Sequence, residues 1–504
     1  MARFRLIPFF LVILILGGHS PAQEQPKKPL EFHITFDPRV SCVPFTGRVF
    51  VMVSKPAIKE LPVKPKWFNP EPLFARDVKD WKPGTKLVLG NDALGFPEPL
   101  DKLLKETYSL QAIMDFDQGS QNAVNAPGNA YSKPIRLEVD PATTGVVPLT
   151  IDQVIPPPKF EENERIKLVD IESKLLSAHH GKPMRLRAGV VLPKTFSKND
   201  EQRFPVIYEI PGFGGNHFMA HGAMARDATD VAGIEMLHVV LDPECRLGHH
   251  VFADSDNNGP YGRALIQELI PAIEGKYRAL GTAGARFVTG HSSGGWSSLW
   301  LQTTCPDFFG GVWSTAPDPV DFRDFQRVNI YSPKNNLFTD DAGKPRPLAR
   351  KGEKVALYYK GFSAMEQVLG HGGQLESFEA VFSPRGKDGK PARLWDRATG
   401  AIDPGVAKAW QRYDIRMILQ NNWPALAPKL AGKIHVYMGA LDNFYLEGAT
   451  VLLKESLARL GSDAVSPTAS GNSRPGLTEP RADGDWGSGR SNIIPRSAGS
   501  GGCP

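Results

Sequence analysis

Cysteine is scarce in this chain: four in 504 residues, Cys42, Cys245, Cys305 and Cys503. That is too few for a disulfide scaffold, and their spacing fits no zinc motif. An oxidising compartment would permit a Cys245–Cys305 pair; buried free thiols are the simpler expectation. No basic run carries interleaved aromatics and the formal net charge is only +5, so nucleic acid is not an implied partner. Beyond the N-terminus no apolar run is long enough for a stable membrane span. His179-His180 and His249-His250 lack a third ligand at metal spacing, so no metal site is expected and no cofactor is called for. The most consequential lack is at the far end: no histidine follows His435.

What is present begins with an export signal. Arg3 and Arg5 precede an apolar core, Leu6 to Leu16, and Ser20-Pro21-Ala22 supplies small residues for cleavage after Ala22. An exported protein, periplasmic or extracellular, is expected, with residues 1–22 removed and 23–29 as a linker. An uncleaved membrane anchor is the alternative. From 30 to 154 short β-rich runs such as Glu31–Phe36 and Arg48–Val53 stand between prolines and glycines, which predicts a small β-sandwich-like domain. Trp67, Phe68 and Trp81 are candidates for a binding face, with burial in a core as the plainer expectation.

Ile155-Pro-Pro-Pro158 marks a boundary. From 160 to 461 strands (Met184–Leu192, Phe204–Ile210, Met236–Leu241, Lys433–Met438) alternate with helical segments. One such segment, Arg263–Tyr277, carries Pro271 as a possible kink. This alternation predicts an α/β fold with a mostly parallel sheet covered on both faces. An insertion at about 319–428 is equally readable as a lid or as ordinary sheet-covering helices. After Gly461 the composition changes: of the 43 residues from 462 to 504, 21 are Gly, Ser or Pro and none is Lys. That predicts a disordered tail.

The chemistry centres on Phe287-Val-Thr-Gly290-His291-Ser292-Ser293-Gly294-Gly295. A strand runs into Gly-x-Ser-x-Gly and a helix-compatible segment follows, the context of a nucleophile elbow. Gly290 and Gly294 flank Ser292 where side chains would collide with the neighbouring backbone. Ser292 is therefore the better nucleophile than Ser293, whose register would put His291 in the cramped place. A serine hydroxyl needs a base, an acid to orient that base, and oxyanion donors. The Ser293 N–H is one expected donor. Pro211-Gly-Phe-Gly-Gly215 follows a strand and supplies the second, from Phe213 or, less well, Gly214. Asp442, after the late strand, is the expected acid, with an Asx turn as its plainer role and Asp318 as reserve. The base is missing from its usual place after the acid. His371, His217 and His221 are weak candidates, and His291 is too tightly placed.

These residues resemble the putative esterase family, the esterase D and enterochelin-esterase-like branch of the α/β-hydrolases. The resemblance runs from about Lys182 to Gly461. It rests on Arg187–Pro193, Pro205–Tyr208, Gly212–Gly215, Gly259–Gly262 with Glu268–Pro271, Gly290–Gly295 and Gly439–Asp442. It implies the α/β-hydrolase fold and a serine carboxylic-ester hydrolase with Ser292 as nucleophile, Asp442 as acid and a histidine after Asp442. The chain departs from the pattern there; a shift of reading frame or a divergent end near 461–465 would account for it. The expected substrate is a small-molecule or polysaccharide-linked ester. An acyltransferase, or a non-catalytic carbohydrate-binding pseudo-esterase, stands as the alternative.

Overall fold

The computed structural model describes residues 28–59, 61–62, 65–116, 119–465 and 468–469. The expected signal and Cys503 lie outside them, as does the tail from 470 onward.

Nine strands form the N-terminal sheet: β1 (Glu31–Phe36), β2 (Phe45–Ser54), β3 (Leu73–Trp81), β4 (Leu87–Leu89), β5 (Leu94–Phe96), β6 (Glu106–Asp115), β7 (Ala130–Ser132), β8 (Ile135–Val139) and β9 (Val146–Val154). Their order is β4-β1-β9-β7-β6-β2-β3-β5, with β8 also on β6. Alternation sets the inward face: in β1, Phe32, Ile34 and Phe36 are buried while their neighbours are half-exposed. The sheet folds over onto itself, because Phe36 of β1 meets Trp81 of β3 at 4.7 Å although the two strands lie far apart in the pairing order. Trp81 is thus a core residue, as is Phe45 beside it. Trp67 and Phe68 are not in this core.

The second sheet contains β10 (Ile166–Glu172), β11 (Arg185–Val191), β12 (Val206–Ile210), β13 (Leu237–Leu241), β14 (Arg286–His291), β15 (Gly311–Thr315), β16 (Ile434–Gly439) and β17 (Thr468–Ala469). Its order is β10-β11-β13-β12-β14-β15-β16-β17. The first two pairings are antiparallel and the other five parallel. β13 and β12 are buried on both faces, as the central strands of a parallel sheet must be. β10 and β15 have no counterpart among the strands read from sequence. β15 is short and bounded by Gly310-Gly311, which hides it.

One expectation changes here. The composition break at 461 is not the edge of the folded chain. Val465 N–H donates to Ile434 O at 3.0 Å, Val436 N–H donates to Val465 O at 2.9 Å, and β17 continues the parallel pairing on β16. Backbone hydrogen bonding to an open sheet edge needs no particular side chains, so composition was a poor guide. Among the described residues Cys42, Cys245 and Cys305 are free thiols, the simpler of the two expectations, although Cys42 is exposed; Cys245 Sγ contacts Asn258 Oδ1 at 3.7 Å.

Helix α1 (Ser293–Thr304) follows β14 directly and lies against β14 and β15. The insertion serves two purposes. Its last helix, α4 (Ile415–Leu430), covers α1, an ordinary sheet-covering role. Of its middle helices, α2 (Tyr359–Leu369) packs on β3 and β5 of the N-terminal sheet, and α3 (Gln374–Phe382), beside it, packs on residues 248–249 and 254–255. The segment around Pro271 stays helical from Tyr261 to Lys276. A π turn over Leu265–Leu269 widens the helix just before the proline, which has no N–H to bond back along the helix. Among the described residues no helix is long and apolar enough to cross a membrane.

Candidate active site

Ser292 sits at the tip of the β14–α1 turn with φ 58° and ψ −123°. This is a strained conformation for a residue with a Cβ, held because the turn is fixed on both sides. Ser292 N–H donates to Thr315 O at 3.0 Å, and Ser292 O accepts from Trp296 N–H at 3.0 Å and from Asp318 N–H at 3.2 Å. The flanking glycines are a steric requirement: a Cβ on Gly294 would lie 1.9 Å from Ile210 O, and one on Gly290 would lie 2.2 Å from Gly294 O. Gly294→Ala should therefore cost about 3 kcal/mol or more, or prevent folding, since the clash is with backbone that cannot move aside. Urea unfolding reads this directly, and a variant as stable as the parent would show that the turn can open.

The oxyanion loop comes to the same place. In Pro211–Gly215, Gly215 N–H donates to Gly212 O at 2.9 Å, closing a turn with Gly214 at φ +85°. Gly212 lies against the elbow: a Cβ there would be 3.4 Å from Ser292 Cβ. Phe213 is next along, and the Ser293 N–H opens α1, where no intrahelical acceptor is available. The loop that carries one expected donor and the residue that carries the other thus adjoin Ser292. A residue weighed in the sequence only as a metal ligand holds the loop. Buried His249 donates from Nε2 to Pro211 O at 2.8 Å while its Nδ1 accepts the Val251 N–H at 3.1 Å. Burial pushes its pKa down to about 4, so it stays neutral and keeps this donor pattern.

The acidic groups divide differently from expectation. Asp318, the reserve, makes the direct contact: Ser292 Oγ donates to Asp318 Oδ1 at 3.2 Å and Ser293 Oγ donates to Oδ2 at 2.5 Å. Asp318 is 4% exposed. Burial pushes its pKa up to about 6; the two serine hydroxyls pull it down, and the charge of Asp442 adds to the rise. Gln374, at the start of α3, donates from Nε2 to Ser293 Oγ at 3.3 Å. Asp442 lies near enough for its charge to act on Asp318 and His291. Its Oδ1 accepts from Phe444 N–H at 2.8 Å and Leu446 N–H at 3.3 Å, the Asx geometry that was its plainer role. Arg350 Nε also donates to Asp442 O at 2.8 Å.

The candidate bases are engaged elsewhere. His371 Nε2 pairs with Asp115 Oδ2 at 2.9 Å, on the N-terminal sheet. His217 Nδ1 pairs with Asp242 Oδ2 at 2.8 Å, and His221 contacts Phe218 O and Glu161 O. His291 is more open than expected, an exposed residue at the end of β14; desolvation by the atoms packed around its ring lowers its pKa and Asp442 raises it. His435 stacks on Trp313 at 4.8 Å. Among the described residues no imidazole is hydrogen-bonded to Ser292, and no group of three His, Cys, Asp or Glu side chains is placed to hold a metal ion.

A family model described as "Putative esterase" matches residues 179–459, more than half of the chain. A search of curated proteins returned no match. Among solved structures the chain is similar to a ferulic acid esterase, at 17% identity over 60% of this chain and 89% of that one, TM-score 0.37. It is also similar to an S-formylglutathione hydrolase from Agrobacterium tumefaciens, at 14% identity over 60% and 85%, TM-score 0.36. An S-formylglutathione hydrolase from Staphylococcus aureus gives 11% identity over 60% and 91%, TM-score 0.36.

Proposed function

Because the chain belongs to the putative esterase family, and so to the carboxylic-ester hydrolases, we propose that it is an exported serine esterase working through an acyl-enzyme on Ser292. The observation that carries the serine mechanism is the position of Ser292: a strained turn tip beside Gly212 of the glycine-rich loop, with its hydroxyl donated to a buried carboxylate. Ser292 Oγ attacks the ester carbonyl carbon and its proton passes to Asp318. The oxyanion is received by the Phe213 and Ser293 N–H groups. The tetrahedral intermediate collapses, the alcohol leaves with a proton, and water attacks the acyl-enzyme by the same route to release the acid. Asp442, expected as the acid, acts here through its charge, which helps to keep Asp318 basic enough to accept a proton near neutral pH.

The fold we assign is the α/β-hydrolase fold with a mostly parallel sheet, preceded by a β-sandwich-like domain. The substrate class we favour is a small-molecule or polysaccharide-linked ester. A fluorophosphonate probe followed by peptide mapping tests the mechanism: label on Ser292 supports it, and label absent or on another residue sinks it. The second reading, a non-catalytic ester-binding protein, is favoured by one observation, that among the described residues no imidazole is hydrogen-bonded to Ser292. Retained ester binding with no labelling and no hydrolysis would select it.

A further inference from the structure

We propose that Trp67, from the N-terminal domain, is a positioning residue of the active site, clamping the oxyanion loop and the Asp442 loop together. Its indole meets Phe213 at 5.7 Å, Phe444 at 5.9 Å and Phe362 of α2 at 5.3 Å, the last two edge-on at 86° and 85°. These rings belong to three separate segments. Phe213 carries a proposed oxyanion donor, and its neighbour Gly212 lies against Ser292. Phe444 gives its backbone N–H to Asp442 at 2.8 Å. Phe68 adds a second contact to Phe444 at 6.2 Å. A tether between two domains needs only one partner; this side chain touches both loops that define the catalytic geometry.

The clamp has a firm base, because the surface around it is fixed by directional contacts. Arg48 of β2 donates from Nη1 to Gln367 O at 2.8 Å and Val368 O at 2.9 Å. Ser120 Oγ and Gln121 N–H donate to Glu244 Oε1, at 2.5 and 3.2 Å. Gly372 lies so close that a Cβ there would be 2.2 Å from Gln121 O. Phe50, Met52, Leu73 and Val124 share one buried cluster with Val368. The cavity left between Trp67, Phe213, Gln121 and Gln374 has a volume of about 30 Å³, room for one water. Motion of Trp67 relative to either loop is therefore restricted, and the N-terminal domain forms part of the active-site wall.

The inference rests on the proposed roles of Phe213 and Asp442, so its test has one part independent of catalysis. In Trp67→Ala, amide hydrogen exchange should quicken at 212–215 and 443–446, with 31–36, 147–151 and 434–438 unchanged. Turnover of 4-nitrophenyl acetate should fall about 10²-fold, mostly in kcat rather than KM, the cost of roughly 1 Å of misplacement. Trp67→Phe should restore most of it. Unchanged exchange at both loops would overturn the clamp, as would quickened exchange across the whole chain, which marks a purely structural role. If the parent protein proves inactive, the exchange pattern alone decides.

Discussion

Replacing Ser292 with alanine should lower kcat/KM for a simple ester by roughly 10²–10⁴-fold and abolish fluorophosphonate labelling. The size follows from the parts present. In a serine hydrolase with a complete triad, removing the nucleophile costs about 10⁶-fold. A well-placed general base supplies about 10²–10⁴-fold of that. Here the group at the hydroxyl is a carboxylate 3.2 Å away that Ser293 also occupies, so most of the base's share is forgone. What remains comes from the oxyanion donors and covalent chemistry. The outcomes separate the readings. A loss near 10⁶ would mean that a base as effective as imidazole serves Ser292. No loss would remove Ser292 from the mechanism.

The elbow was legible in the sequence because its constraint is local and steric. Gly290 and Gly294 are required by atoms a few residues away, and Gly-x-Ser-x-Gly between a strand and a helix has few other uses. The central strands were legible for a similar reason, since burial on both faces demands continuous apolar runs. The contact of Asp318 with Ser292 was not legible because its place depends on β15, a strand of mixed composition that opens on Gly310-Gly311. With β15 in register beside β14, the turn at Ala316-Pro317 brings Asp318 back to Ser292. Asp442 was readable only as a position in chain order, and its backbone partners were not. Trp67 and His249 act across long stretches of chain, through a ring contact and a carbonyl. No periodicity or motif in a single sequence encodes such contacts.

Asp318→Asn should separate stability from activity. A carboxyl normally titrating near 3.8 that is pushed up to about 6 holds its proton more tightly in the folded chain than in the unfolded one. Between those two values the folded state binds more protons, so stability falls as pH rises through about 6. Above pH 6 the native protein carries a buried carboxylate whose ionisation costs about 3 kcal/mol, two pKa units at about 1.4 kcal/mol each. Asparagine resembles the neutral acid in shape and can still meet both serine hydroxyls. At pH 7–8 the variant should thus be more stable by about 1–3 kcal/mol, and the advantage should vanish as pH falls toward 4. Activity should move the other way. The parent's kcat/KM should rise through pH 6 as Asp318 ionises, whereas the variant should lose that rise along with the part of the base's share that Asp318 still supplies, about tenfold of its rate. Urea unfolding and pH–rate profiles on the two proteins measure both halves. A variant less stable than the parent at pH 8 would mean that the carboxylate is stabilised by its serine partners more than burial penalises it. A variant with the parent's pH–rate profile would take Asp318 out of the proton path, leaving it a residue that holds the elbow helix against the end of β15.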